Sequence, residues 1–251
     1  MTTLIPGAEP WSHVGDGPHG ALVLHGFTGN PGSMRGLAEA FAAAGLHVEM
    51  PLLPGHGTTV ADMIPTRWAD WYAAADAALA TLAARSQKVV VAGLSMGGAL
   101  TLALGAAHPE LAGLVCVNPA TQPQAAEILD MLRGMIDGGM ESMDAIGSDI
   151  ADPDSKESAY EATPLAPALS LMEDGLVPLG AHFPSMTMPL LLLNSPQDHV
   201  VPPADGDFLA ATYGGPVERV LLERSYHVAT QDYDKGLIFE RSVEFARKVT
   251  A

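Results

Sequence analysis

Cysteine and positive charge are both scarce in this sequence. Its 251 residues include one cysteine, Cys116, and 12 lysines and arginines against 29 aspartates and glutamates. A single cysteine excludes an internal disulfide, and its position inside the apolar run 113–117 favours a buried side chain over a reactive thiol. A formal net charge of −17 repels the phosphate backbone of nucleic acids. We therefore expect no nucleic-acid partner.

Long hydrophobic runs are also lacking. No segment approaches the roughly 20 apolar residues that cross a bilayer as a helix. Residues 1–7 have neither the basic segment nor the apolar core of a signal peptide. We therefore expect a cytoplasmic protein without stable membrane insertion. Transient contact with lipid surfaces, and the choice between a monomer and a homodimer, stay open.

Hydrophobic residues, by contrast, make up 48% of the chain and fall into short runs. Strand-like runs at 21–24, 46–53, 88–95 and 111–117 alternate with segments of helical periodicity, and the same rhythm returns after residue 188. Such alternation is typical of a mostly parallel sheet with helices on both faces. The sequence thus predicts a single α/β domain over residues 1–251.

The alternation breaks between residues 121 and 188, which hold seven of the 12 methionines. We predict that this stretch is an inserted cap over the carboxyl edge of the sheet. Ile128, Met131 and Met135 share one face of a predicted helix, and flexible side chains of this kind suit an adaptable apolar pocket. We expect them to contact a substrate, although packing against the body of the protein explains any one of them equally well.

The stretch from Val89 to Gly98 predicts a nucleophile. A β-branched run leads into Gly93-Leu94-Ser95-Met96-Gly97, and a helical pattern follows. A serine between strand and helix lies on a sharp turn that glycines make sterically possible. That turn exposes the hydroxyl of Ser95 above the sheet, at the amino end of the helix.

A serine hydroxyl needs a base, and the base needs a partner that fixes its tautomer. Asp198 directly follows the apolar strand 189–194, and His227 follows the last strand. Asp205 and Asp207 come later, at a helix start, where a capping role is expected. The order Ser95, Asp198, His227 is that of an α/β-hydrolase triad.

Developing charge on a substrate carbonyl requires hydrogen-bond donors. We predict that the backbone N–H groups of Phe27 and Met96 form this oxyanion hole. His25 is expected to pack behind the loop and shape it. The sequence has no His-Glu-x-x-His motif, cysteine cluster, P-loop or dinucleotide fingerprint, so neither a metal nor a cofactor is predicted.

Five motifs together resemble the bacterial monoacylglycerol lipase and carboxylesterase family of the α/β-hydrolases, in particular its Bacillus-type monoglyceride lipases. They are His25–Gly29, Pro54–Gly57, Gly93–Gly98, Asp198–Pro203 and Ser225–Thr230. The resemblance implies a serine hydrolase that cleaves monoacylglycerols to fatty acid and glycerol beneath a mobile cap.

The segment 146–161 resembles the region of that family in which a glutamate contacts the glycerol hydroxyls. Glu157 stands at the matching position, although from the sequence alone it would be a solvated surface residue. A general carboxylesterase for short- to medium-chain esters is the alternative enzyme. A catalytically silent binding protein with the same fold is the alternative outside enzymes.

Overall fold

A seven-stranded sheet forms the centre of the computed structural model, which describes residues 3–145 and 147–251. Met1 and Thr2, in the N-terminal segment considered above, lie outside the described residues. So does Ile146, in the segment 146–161 that contains Glu157. The strands in chain order are β1 (Trp11–His13), β2 (Gly20–Leu24), β3 (His47–Met50), β4 (Val89–Leu94), β5 (Gly113–Val117), β6 (Ser142–Asp144), β7 (Ala162–Pro164), β8 (Leu190–Asn194) and β9 (Val217–Leu221).

The strand order in the large sheet is β1-β3-β2-β4-β5-β8-β9. Only β1 runs antiparallel to its neighbour, and all other pairs are parallel. In the centre, Gly93 of β4 pairs with Leu24 of β2 and with Cys116 of β5. The predicted α/β architecture is thus confirmed, and the residue after β4 lies at the middle of the carboxyl edge.

Helices cover both faces of this sheet. In chain order, the helices of the described residues, including those of the insertion after β5, are α1 (Arg35–Ala43), α2 (Val60–Met63), α3 (Trp68–Ala83), α4 (Met96–Ala107), α5 (Ala126–Asp137), α6 (Leu165–Ser170), α7 (Val177–Leu179), α8 (Pro203–Thr212) and α9 (Lys235–Thr250). Short 3-10 helices lie at Pro31–Met34, Gly180–Ser185 and Ala229–Gln231, and a π-helical turn spans Leu171–Leu176. None of the helices in the described ranges is both long and apolar enough to cross a lipid bilayer.

Alternate residues of each strand serve two separate hydrophobic clusters, because successive side chains of a strand point to opposite faces. On one face Val91 packs with Trp71 of α3 and Leu100 of α4. On the other face Val90 packs with residues of α1 and α9. Continuous burial along β2, β4, β5 and β8 follows from this two-sided cover.

The break in the alternation lies between β5 and β8. This insertion, residues 118–189, holds α5, the β6–β7 hairpin, α6, the π-helical turn and α7. The π-helical turn packs against α3 and α4, whereas α5 packs against α6. The predicted strand over 46–53 is shorter than expected, because Pro51 lacks the N–H that would extend β3 beyond Met50.

Candidate active site

Ser95 lies on a sharp turn between β4 and α4. Its backbone has φ 58° and ψ −119°, a strained conformation for a residue with a side chain. A Cβ at position 93 would lie 2.1 Å from the Gly97 carbonyl oxygen, and one at position 97 would lie 2.2 Å from the Leu24 carbonyl oxygen. Glycine is therefore required on both sides of the serine. The Ser95 N–H donates to the Val117 carbonyl at 3.1 Å, which fixes the turn against β5.

The two predicted oxyanion donors lie next to this turn. Met96 is the first residue of α4, so its N–H has no acceptor within the helix. The loop after β2 passes close to Ser95, since a Cβ at Gly26 would be 3.4 Å from the Ser95 Cβ. Within the described residues, the Phe27 N–H donates to no other group of the protein. Both N–H groups are thus free to meet an oxygen near the serine.

His227 and Asp198 form a buried pair. The His227 Nδ1 lies 2.8 Å from Asp198 Oδ2, and the two side chains are 9% and 2% exposed. A carboxylate only accepts hydrogen bonds, so Nδ1 carries the proton and Nε2 is left with a lone pair. The other oxygen, Oδ1, accepts from the N–H groups of Val200 and Val201, each at 2.8 Å. Asp198 therefore holds its histidine in the tautomer of a general base.

The other carboxylates considered for this role have different partners. Asp205 accepts from the N–H groups of Thr121 and Gln122 at the start of the insertion. Asp207 pairs with Arg219 at 2.7 Å. Neither of them contacts His227.

Ser95 and His227 line the same cavity, whose volume is about 260 Å³. Among the described residues, the Ser95 hydroxyl makes no hydrogen bond within the protein, and none joins it to His227. Catalytic hydrogen bonds are commonly long in a free enzyme and shorten when substrate binds. The apolar residues that the insertion contributes to this cavity include Ala168, Leu171, Met172 and Leu176.

Glu157 also lines this cavity and is half-buried. A Cβ at Gly29 would lie 2.9 Å from Glu157 Oε1, so the carboxyl group lies against the loop that carries Phe27. Burial raises the pKa of Glu157 above its ordinary value, and the positive charge that His227 can carry opposes part of that rise. In the described residues the carboxyl group accepts no hydrogen bond, which leaves its oxygens available to a ligand.

Comparison with known proteins agrees with this geometry. A family model described as serine aminopeptidase, S33, matches residues 18–234. The chain is 43% identical over 248 residues to the thermostable monoacylglycerol lipase of Bacillus sp. (strain H-257), covering 98% of this chain and 96% of that one. The chain belongs to the monoacylglycerol lipase family of the α/β-hydrolases.

Two further relatives agree with this assignment. The carboxylesterase of Bacillus subtilis (strain 168) is 23% identical and covers 96% of this chain and 97% of its own. A solved structure from the metagenome-derived lipolytic enzymes LipS and LipT has a TM-score of 0.92 and 42% identity, covering 98% of this chain and all of that one. The chain is accordingly a serine hydrolase, as the five motifs implied.

The structure does not bring one part of the predicted site to the cavity. Ile128 and Met131 are 39% and 54% exposed, Met135 is half-buried, and none of the three lines the cavity. The helix α5 buries its neighbouring stripe instead, through Leu129 and Leu132. Both stripes have helical spacing, so the packing partner α6 decides which one is buried. The π-helical turn, through Leu171, Met172 and Leu176, supplies the apolar wall.

His25 lies behind the oxyanion loop, as predicted. Its Nε2 accepts from the Leu53 N–H at 3.1 Å, so its Nδ1 carries the proton and donates to the Gly26 carbonyl at 3.0 Å. Burial lowers the pKa of His25 to about 4. Burial, together with the nearby His25, lowers the pKa of His56 to about 3. The two neutral rings pack edge to face with each other, and the His56 ring also packs edge to face with Trp71. Together they support the oxyanion loop.

Asn118 is a supporting residue that the sequence analysis missed. It follows β5 with a φ of 42°, and its amide oxygen accepts from the Ser195 N–H at 2.7 Å. Its amide nitrogen donates to the carbonyls of Tyr226 and His227 and to the Ser195 hydroxyl. One side chain therefore joins the ends of β5 and β8 to the histidine loop. An asparagine directly after a buried strand was the available signal.

Proposed function

We propose that the protein hydrolyses monoacylglycerols through an acyl-enzyme intermediate, with Ser95 as nucleophile, His227 as general base and Asp198 as its orienting partner. The observation that carries the proposal is a strained serine and an aspartate-paired histidine on one cavity with an apolar wall. The named activities of the relatives from Bacillus sp. (strain H-257) and Bacillus subtilis support an ester substrate.

In the first half of the proposed reaction, the Ser95 oxygen attacks the ester carbonyl carbon while His227 Nε2 takes the hydroxyl proton. The tetrahedral intermediate collapses as the glycerol oxygen leaves with that proton. In the second half, His227 takes a proton from water, and the resulting hydroxide attacks the acyl-enzyme. Collapse of the second intermediate returns the proton to Ser95 and releases the fatty acid.

The N–H groups of Phe27 and Met96 are the proposed donors to the oxyanion in both intermediates. A free helix N-terminus at Met96 adds the favourable end of the helix dipole. A donor of this kind is typically worth about 10²–10³ in rate. No ionised side chain is needed for this stabilisation.

Glu157 is the proposed contact for the glycerol hydroxyl groups. Its carboxyl group borders the cavity close to Gly29 and has both oxygens free among the described residues. Its oxygens can accept hydrogen bonds from the two hydroxyl groups of a diol, and burial raises its pKa above the ordinary value. The polar leaving group would thus meet Glu157 while the acyl chain contacts Leu171, Met172 and Leu176.

Residues 121–188 are the proposed cap. Among the described residues of the cap, five large apolar side chains are exposed. We propose that the four of them that lie within residues 126–144 make transient contact with the lipid surface from which substrate is taken. They are Ile128, Met131, Met140 and Met143. This role would replace the pocket contact that the sequence suggested for the first two.

A chain-length series tests the proposed substrate. Initial rates would be compared for monoacylglycerols and nitrophenyl esters with acyl chains from two to sixteen carbons, with Ser95→Ala as the blank. We expect the highest kcat/KM for medium and long monoacylglycerols, and a loss of at least about 10³-fold in Ser95→Ala. Activity confined to acetate and butyrate esters would instead support the carboxylesterase alternative.

A further inference from the structure

One segment of the insertion contacts three of the loops around the predicted site: the oxyanion loop and the loops of Asp198 and His227. We call residues 147–160 the strap. At one end, the Tyr160 N–H donates to the Thr28 carbonyl at 3.1 Å, next to Phe27. At the other end, Asp149 contacts the loops after β8 and β9. The strap therefore connects the oxyanion loop to the loops of Asp198 and His227.

The Asp149 side chain accepts three hydrogen bonds there. Its Oδ2 accepts from the backbone N–H of His227 at 3.0 Å and from that of His199 at 3.1 Å. Its Oδ1 lies 2.8 Å from His199 Nδ1. Hydrogen bonds to an ionised acceptor are shorter and about twice as strong as neutral ones. The side chain is only 12% exposed, so these bonds are weakly screened by water.

The bond to the His227 N–H is the one that bears on catalysis. The His227 carbonyl accepts a hydrogen bond from Asn118, and the Val228 N–H donates to the Asp149 carbonyl. The bond from the His227 N–H to the Asp149 carboxylate therefore completes the backbone hydrogen bonds around the base. Without the Asp149 carboxylate, the nearly buried His227 N–H would have no hydrogen-bond acceptor, which is unfavourable in free energy. A small rotation of the loop would relieve this penalty. Such a rotation would carry the imidazole away from Ser95.

The second bond of the same oxygen links the two loops to each other. His199 is adjacent to Asp198, the partner of the His227 ring. Because Oδ2 binds the N–H groups of both His199 and His227, it fixes the separation of the two loops on which Asp198 and His227 depend. An error of about 1 Å in such a distance can cost about 10²-fold in rate.

We infer that Asp149 is a positioning residue, which holds His227 and Asp198 in register from within the insertion. The inference rests on the proposed function of these two residues. Asp149 itself acts through the backbone of its partners and takes no part in proton transfer.

Three variants of the full chain test the inference. Asp149→Ala removes the acceptor, whereas Asp149→Asn keeps an amide oxygen in the position of Oδ2. Asp152→Ala is the matched control, because it removes a carboxylate of the same strap that, among the described residues, accepts only from the Asp154 N–H. For each variant, kcat and KM are measured with a soluble nitrophenyl ester, and the downfield proton resonance of the His227–Asp198 hydrogen bond is recorded.

We expect Asp149→Ala to lower kcat by about 10²-fold while KM changes by less than about threefold, and to broaden or shift the proton resonance. Asp149→Asn should recover about tenfold of that loss, and Asp152→Ala should match the wild type. Wild-type kcat and an unchanged resonance in Asp149→Ala would overturn the inference. So would an equal loss in all three variants.

The test of Asp149 stays decisive if one variant does not fold, and its failure can be told from a failure of the proposed mechanism. If Asp149→Ala fails to fold, Asp149→Asn carries the test, because wild-type kcat together with an unchanged resonance in that variant would also overturn the inference. If the wild-type enzyme is not labelled at Ser95 by an organophosphonate, the proposed mechanism has failed rather than the role of Asp149.

Discussion

The strap and the outer segment, residues 126–144, belong to the same insertion, yet they are held in different ways. The strap reaches the body of the protein at both ends, through Asp149 and Tyr160, and between them the N–H groups of Ala151 and Asp152 donate to the buried Asp232. Among the described residues, every hydrogen bond and ion pair of the outer segment stays within the insertion, such as that between Arg133 and Glu173.

The two segments also differ in the surface they expose. Among the described residues of the insertion, all the exposed large hydrophobic residues apart from Val177 lie in the outer segment, while the large side chain of Tyr160 in the strap is buried. Many anchored backbone groups raise the cost of local opening, and few anchors lower it. Motion of the proposed cap is therefore expected in the outer segment, around a strap that stays with the catalytic loops.

The largest expected effect on folding comes from the strap. The Tyr160 hydroxyl donates to the Gly55 carbonyl at 2.7 Å and accepts from the Thr58 N–H at 2.9 Å. Tyr160→Phe removes both bonds and leaves two partly buried backbone groups without a partner. We expect the free energy of unfolding in urea to fall by about 1–3 kcal/mol.

Tyr233→Phe is the control for that measurement. The Tyr233 side chain is exposed, and its hydroxyl makes no hydrogen bond within the described residues. Its removal should change the free energy of unfolding by less than about 0.5 kcal/mol. Equal effects of the two variants would show that the strap is no better anchored than the surface.

Local steric rules explain which parts of the site the sequence could predict. The turn at Ser95 was predictable because Gly93 and Gly97 are required within a few residues of it. Asp198 and His227 were predictable as site residues because each lies in the loop that follows a strand, and parallel strands end at one edge. The structure accordingly places their side chains 2.8 Å apart.

The rest of the site depends on contacts between distant residues. Asp149 and His227 are separated by 78 residues, and no periodicity indicates that they meet. The face of α5 that is buried depends on α6, so Ile128 and Met131 could not be told from Leu129 and Leu132 by spacing alone. A π-helical turn at Leu171–Leu176 has no composition that distinguishes it from an α-helix.

A smaller effect, on the pH dependence of stability, is expected for Glu157 in the strap. Burial raises its pKa in the folded protein above the unfolded value, so the folded state binds more protons between the two pKa values. Stability is thus full below the unfolded pKa and is lost as pH rises through the folded pKa. Glu157→Gln lacks this ionisation, so we expect it to gain stability over the wild type as pH rises from about 4 to 8.

The measurement is urea unfolding over that pH range, with Glu161→Gln as the matched control. Glu161 is four residues away and exposed, so its variant should follow the wild-type pH dependence. If Glu157→Gln shows the same pH dependence as the wild type, the protein stabilises the ionised carboxylate of Glu157 as well as water does.

The smallest effect on folding is expected for the outer segment, in the double variant Ile128→Ser/Met131→Ser. Both side chains are exposed on α5, so the free energy of unfolding should change by less than about 0.5 kcal/mol. We expect a several-fold slower hydrolysis of monoacylglycerol presented in phosphatidylcholine vesicles, because contact with a lipid surface scales with buried apolar area. Hydrolysis of a soluble short-chain ester should be unchanged.

Val14→Ser supplies the control for the vesicle assay, since Val14 is 70% exposed and lies outside the insertion. It should leave both rates at the wild-type value. A double variant that loses activity equally on vesicles and on the soluble ester would contradict a surface role. Ile128 and Met131 would then contact the substrate after all, which requires α5 to turn its exposed stripe towards the cavity while the strap keeps His227 in position.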